Sequence, residues 1–384
     1  MTGPEYRDLI KVKALDVQLF SDPMQPILDM GKRNLDWIQA LNQTRSDAKK
    51  LQLSSAATQV AIPIEQAREN NRQIIQAKLD DLKRALPQEM AKVVFGTAAF
   101  PTTLSIDDEN FLIFARKVDA IYQAASRWLL EEPNLDSYSE RSYMDIRGYY
   151  FLSKEANLDT NLANWSGLDD ATRANYTTWL VGQCHNARTS VLDCQSQLAD
   201  SVTSTGNAAQ FYLSSVNTAR EVYEAFFQIQ NARSDVTWNA TNPDLFLVPF
   251  ATPDRPEVQA FLSSNIQDEW RIGTWNLKLN FGSGGMFKPH VNFVAGATPH
   301  VNGLGGNEIT MDANRSLTEY STEWTIRHEF GHVLGFPDCY VEFYDEAKGV
   351  MINYQIDIDN LMCSRRGHLH QNHLDALKTA YWHS

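Results

Sequence analysis

Residues 322–338 read Thr-Glu-Trp-Thr-Ile-Arg-His-Glu-Phe-Gly-His-Val-Leu-Gly-Phe-Pro-Asp. His328 and His332 are four apart, so on a helix they lie on one face, one above the other. Both imidazoles then reach one ion. Glu329 lies along the same edge, placed to take a proton from a metal-bound water. Gly335 stands where the helix has to stop, because glycine accepts the left-handed conformation that ends helices. Asp338 follows three residues later and offers a carboxylate, an accepted zinc ligand. Two imidazoles and one carboxylate suit Zn2+ better than Ca2+ or Mg2+, which prefer oxygen throughout. The spacing predicts a helix over 322–335.

Working outward, the chain after residue 236 alternates strand and helix signals. Segments 244–250, 275–281, 290–294 and 308–311 read as strands, with glycine turns at 282–285 and 303–306. Segments 255–273 and 371–382 read as helices. The stretch 231–244 is rich in Asn, Thr, Ser and Pro and reads as a linker.

Residues before 236 carry helical periodicity instead. Segment 63–86 opens with Pro63, a favoured first helical residue, and repeats Ile74, Ile75, Leu79, Leu82 and Leu86 at spacings of about three and four. Segment 106–130 repeats the pattern, with Asp107 and Asp108 in its first turn. Segment 169–228 is helical with a break near 201–206. The expected fold class is therefore α+β: an all-α helical bundle over 1–236, then an α/β domain over 237–384. The large aromatics of the first part, Trp128, Trp165, Trp179, Tyr149 and Tyr150, are expected in its core.

The chain has 384 residues and a formal net charge of −13, which disfavours nucleic acid as a partner. No apolar run is long enough to span a membrane. The first residues, MTGPEYRDLIKVK, lack the apolar core of a signal peptide.

The stretch 328–338 resembles the metzincin zinc endopeptidases, whose signature is His-Glu-x-x-His-x-x-Gly-x-x-His followed by a methionine turn. Asp338 in the third position is similar to the snapalysin branch, and Asn360-Leu361-Met362-Cys363-Ser364 resembles the Met-turn. The resemblance covers residues 240–384. It implies a zinc endopeptidase acting on protein or peptide substrates, with His328, His332 and Asp338 on the metal and Glu329 as general base. Met362 would be an apolar base beneath the ligands, and a substrate strand would pair near Asn307 and Ile309. A secreted or extracellular location is expected. Ser364 stands where some branches carry an assisting tyrosine; Tyr340, Tyr344 and Tyr354 lie nearby, and nothing in the sequence selects one. If the Met-turn packs under the zinc, Cys339 and Cys363 come close enough to bridge, closing a loop worth about 3 kcal/mol.

Other readings stay open at this level. A Glu on a second helix, Glu342 or Glu346, would make the third ligand in a gluzincin-type site. A helical binding or delivery protein, toxin- or effector-like, with an auxiliary zinc domain is the alternative function, and the partner of the helical half is unspecified. His368, His370 and His373 read as a polar helix start rather than a second metal site. Asp357, Asp359 and Asn360 offer alternating oxygens of the kind Ca2+ takes, but lack EF-hand spacing and read as a turn. Cys184 and Cys194 would be about 15 Å apart on one continuous helix, too far for a disulfide unless the helix breaks between them.

Overall fold

The computed structural model describes residues 24–238, 241–282 and 287–382. The expected turn at 282–285 and the bundle's first 23 residues fall wholly or partly outside these. The described chain is mixed α+β with a helical N-terminal region.

The first helical group comprises α1 (Gln25–Asn42), α2 (Arg72–Ala85), α3 (Gln88–Val94) and α4 (Asp108–Glu131). Helix α4 buries Phe111, Ala115, Val118, Ile121, Ala125 and Trp128, the three-and-four spacing of one apolar stripe. The Asp107 carboxylate caps it by accepting from the Asn110 backbone N–H at 2.9 Å. Segment 63–86 departs from its predicted single helix. The helix begins at Arg72, where Asn71 accepts from the Ile74 N–H. Residues Arg68–Asn70 form strand β1 instead. The apolar repeat begins only at Ile74, so nothing holds the preceding residues helical.

The second group holds α5 (Leu135–Ser139), α6 (Arg147–Lys154), α7 (Leu158–Ala163), α8 (Asp170–His185), α9 (Val191–Thr205) and α10 (Ala209–Ala225). The predicted break near 201–206 is present, with Gly206 left-handed at φ 73°. A second break at 186–190 turns the chain back, and Cys184 and Cys194 form a disulfide with Cα atoms 5.9 Å apart. Trp128 and Trp165 are buried, whereas Trp179, Tyr149 and Tyr150 are half-buried.

The remaining elements are β2 (Thr237–Trp238), β3 (Leu245–Ala251), α11 (Pro256–Glu269), β4 (Arg271–Ile272), β5 (Trp275–Gly282), β6 (His290–Val294), β7 (His300–Val301), β8 (Glu308–Asp312), α12 (Tyr320–Val333), β9 (Tyr340–Asp345), β10 (Val350–Gln355) and α13 (Gln371–Tyr381). Strand β3 buries Phe246, Val248 and Phe250 on alternate positions. It pairs in parallel with β5 across the α11 crossover, giving the order β2-β3-β5-β4. A second sheet runs β6-β8-β7.

Two features tie the N-terminal region to the rest. Strand β1 pairs with β10, completing a β1-β10-β9 sheet. Ile64, Ile146 and Phe226 share one buried core with residues of β3, β5, α11 and α12. The stretch expected as a linker is also tied down. Gln230 N–H donates to Gly335 O at 2.9 Å, Asn231 Nδ2 to Leu304 O at 2.6 Å, and Arg233 Nη1 to Gly306 O at 2.6 Å. Its polar side chains and backbone satisfy loop carbonyls, which composition alone reads as looseness.

Candidate metal centre

Helix α12 carries His328, Glu329 and His332, all buried, and His328 faces the turn at 360–364. The helix ends at Val333, and Gly335 adopts φ 90°. A Cβ at Gly335 would overlap the backbone carbonyl of Asn231, so both its conformation and its surroundings demand glycine. The chain then reverses and brings Asp338 back to the histidines. Nitrogen and carboxylate ligand atoms of His328, His332 and Asp338 all lie within 4.8 Å of one another.

The second nitrogen of each ring decides what the site can hold. His328 Nδ1 is 3.0 Å from Leu361 O, and His332 Nδ1 is 2.8 Å from Phe336 O. Carbonyls only accept, so each Nδ1 carries the proton and each Nε2 of a neutral ring presents a lone pair. Those Nε2 atoms stand 3.0 and 3.3 Å from Asp338 Oδ1. Two lone pairs and a carboxylate thus converge, an arrangement that requires a cation or a proton between them. The electrostatics agree. Burial disfavours a charged His332, but Asp338 outweighs it and pushes the ring up to about 9. Burial likewise opposes ionised Asp338, yet the two histidines hold its carboxyl far below the usual range. The three residues fit a divalent metal ion, with backbone carbonyls fixing both imidazoles from behind.

Glu329 differs from the ligands. Its Oε2 is buried and has no hydrogen-bond partner among the described residues. Burial raises its pKa, and the neighbouring histidines partly oppose the rise. A buried carboxylate oxygen without a partner costs stability unless something else meets it.

The 360–364 turn supports the centre from below. Met362 is buried and packs on Gly331, where any Cβ would overlap its Sδ. Met362 O accepts from Cys339 N–H at 3.1 Å, and Cys339 and Cys363 form a disulfide with Cα atoms 4.5 Å apart. The turn therefore grips the first ligand through Leu361 O and the segment after the third through Cys339. Ser364 is buried, its Oγ accepting from Arg366 N–H at 3.2 Å.

Several expectations change. Glu342 lies on β9, not on a helix, accepts from Asn353 Nδ2 at 2.6 Å and pairs with Arg127. Glu346 follows in the β9–β10 turn. Neither approaches the histidines as a third ligand. Strand β8 has both edges taken, by β6 in parallel and by β7, with Val301 opposite Ile309. Ile309 itself is buried. Asn307 precedes the strand, its backbone N–H on Asn302 Oδ1 at 3.0 Å and its carbonyl accepting from His290 N–H at 2.9 Å. The reading of Asn307 and Ile309 as an open pairing edge is thus corrected. Sequence spacing reveals a strand but not the neighbours that close its sides. His368 faces Glu269 at 3.3 Å, while His373 bonds to the His370 N–H and to Asn360 Oδ1. Their ring nitrogens serve separate partners. Asp357 accepts from Asp359 N–H at 3.1 Å, as a turn does.

Of the three tyrosines, Tyr340 is the one whose ring lies beside a histidine of the centre. Tyr354 OH bonds to Asp145, and Tyr344 packs against the first helical core. The Tyr340 ring lies 6.5 Å from that of His328 and nearly parallel to it. Trp324 stacks on the same imidazole at 4.7 Å. Trp324 carried no sequence signal of its own beyond its place one turn before His328.

Comparison of the chain with protein-family models, with curated proteins and with solved structures finds no match in any of the three. No described helix is long and apolar enough to cross a membrane. The described cysteines form two disulfides, bonds that persist in oxidising surroundings.

Proposed function

We propose that the protein is a zinc-dependent endopeptidase that hydrolyses peptide bonds in protein substrates. The observation that carries the reading is the convergence of His328 Nε2, His332 Nε2 and Asp338 on one point, beside a buried Glu329 oxygen with no partner among the described residues. Two nitrogens and one carboxylate oxygen favour zinc among common divalent ions and leave a fourth position open. When bound, zinc would polarise the scissile carbonyl and make water a nucleophile at neutral pH.

The chain's own residues supply the rest. Leu361 O and Phe336 O keep both imidazoles in the tautomer that ligates. Glu329, whose pKa burial raises, takes the proton from the attacking water and passes it to the leaving amine. The similarity of 328–338 and 360–364 to the metzincin signature supports this reading, and the two disulfides support a secreted setting.

Casein and a peptide library, incubated with zinc-loaded wild type and with Glu329→Gln, test it. The wild type should cleave. Glu329→Gln should keep its zinc and lose roughly two or more orders of magnitude in rate, the range general-base loss gives. Near-normal turnover by Glu329→Gln would remove Glu329 from that role.

A further inference from the structure

The metal centre opens among arginines, although the chain as a whole carries a net charge of −13. Both aromatic rings that flank His328 carry a guanidinium. Arg365 Cζ lies 6.0 Å from the Trp324 centroid, and Arg127 Cζ lies 5.9 Å from the Tyr340 centroid. Arg68, contributed by β1, pairs in register with Asn353, which stands opposite Glu342, the partner of Arg127.

These arginines are not equivalent. Arg127 is neutralised by Glu131, at 2.9 Å, and by Glu342. Arg68 and Arg365 have no ion pair and no side-chain hydrogen bond among the described residues, and both are exposed. Yet surrounding protein holds the Arg365 pKa below its ordinary value, reinforced by Arg127, Arg315 and Arg68 and opposed by Asp119. Arg365 is thus an exposed guanidinium lying over a ring that itself stacks on His328. Asp338, with 37% of its side chain exposed, opens to solvent as well. Guanidiniums without an ion pair attract an anion, and their planar donor fork matches a carboxylate.

We propose that Arg68 and Arg365 form a subsite that selects substrates bearing an acidic side chain near the scissile bond. The proposal rests on the peptidase reading for what the metal centre does with the bound chain, but not for the binding itself. Arg365 Cζ is 6.0 Å from the Trp324 centroid, which is 4.7 Å from the His328 ring. Two or three residues of extended peptide, at about 3.3–3.6 Å each, cover that reach. Strand β1 thereby gives the N-terminal region a role in substrate choice.

The test uses fluorescein-labelled, alanine-rich octapeptides with amidated C termini, each carrying one Glu at a successive position, and matched Gln peptides. Binding is read by anisotropy on zinc-loaded Glu329→Gln, and cleavage on the wild type. At one or two positions the Glu peptide should bind at least tenfold more tightly than its Gln partner, with the advantage shrinking as salt rises. Arg68→Gln/Arg365→Gln, with zinc content and circular dichroism unchanged, should abolish the preference and leave the Gln peptides as they were. Arg68→Lys/Arg365→Lys should restore it in part, which also guards against a folding artefact. Equal binding of every Glu and Gln pair, or a preference that survives the double Gln variant, would overturn the subsite. A preference seen only with free-acid C termini would overturn it too, assigning the arginines to the chain end. Preferential binding without cleavage by the wild type would uphold the subsite and sink the peptidase reading; cleavage without preference would do the reverse.

Discussion

Met362 occupies the space that a side chain at Gly331 would need. Gly331 sits one residue before His332, so the methionine rests on the helix that carries both imidazoles. The same turn accepts from His328 Nδ1 through Leu361 O. Helix, turn and metal ligands are therefore one packed unit, and a change in one is felt by the others.

Gly331→Ala should overpack this contact and destabilise the protein by about 1–3 kcal/mol. Met362→Ala should cost about 2–5 kcal/mol through the cavity it leaves. Because the two residues touch, the double variant should be less damaged than the sum of the singles. Urea unfolding of all four proteins measures the coupling. Strict additivity would mean that the methionine and the glycine do not meet.

His373 gives the turn an acid limit. Its Nδ1 accepts from His370 N–H at 2.9 Å, so Nε2 carries the proton and donates to Asn360 Oδ1, which also accepts from Met362 N–H at 2.9 Å. Burial, reinforced by His370, lowers its pKa from 6.5 to about 4. The folded state thus needs the neutral ring. Its contribution is complete above pH 6.5 and is lost as pH falls toward 4, by about 3 kcal/mol at 1.36 kcal/mol per unit. Urea unfolding between pH 7 and 4 should show wild-type stability falling more steeply than that of His373→Gln. Parallel curves would contradict the buried neutral ring.

Metal uptake should release a proton. Without a cation in the cluster, His332 keeps its proton up to about pH 9 because of Asp338. Zinc must displace that proton, so affinity should rise with pH by up to about tenfold per unit below that value. Calorimetry at pH 7 in buffers of different ionisation enthalpy should report about one proton released per zinc. Asp338→Asn should bind more weakly and release less. Equal proton release by both proteins would place the coupling elsewhere.

The helix with His328 and His332 was legible because a four-residue spacing and a terminal glycine are local signals. The strand at 275–281 was legible from alternation, and those at 244–250, 290–294 and 308–311 as short strand-like runs set off by turn residues. Strand β1 was not: Arg68-Glu69-Asn70 has no apolar pattern, and only its pairing with β10 makes it a strand. The β9–β10 hairpin was missed although Val341 and Phe343 alternate with polar residues and Gly349, at φ 66°, marks its turn. The zinc-type reading drew attention to its glutamates instead. Cys184 and Cys194 bridge because a short break at 186–190 interrupts two good helices. The arginines around His328 come from β1, α4 and the turn after Met362, segments that only the tertiary fold brings together.

The account turns on three ligands meeting at one ion, and metal content measures that most directly. Wild type purified without chelator and dialysed should hold about one zinc per chain by plasma mass spectrometry, and Asp338→Ala, still folded by circular dichroism, less than a tenth of that, since two ligands do not hold a tetrahedral site. Equal zinc in the two proteins, or none in folded wild type supplied with excess zinc, would contradict a centre built on His328, His332 and Asp338.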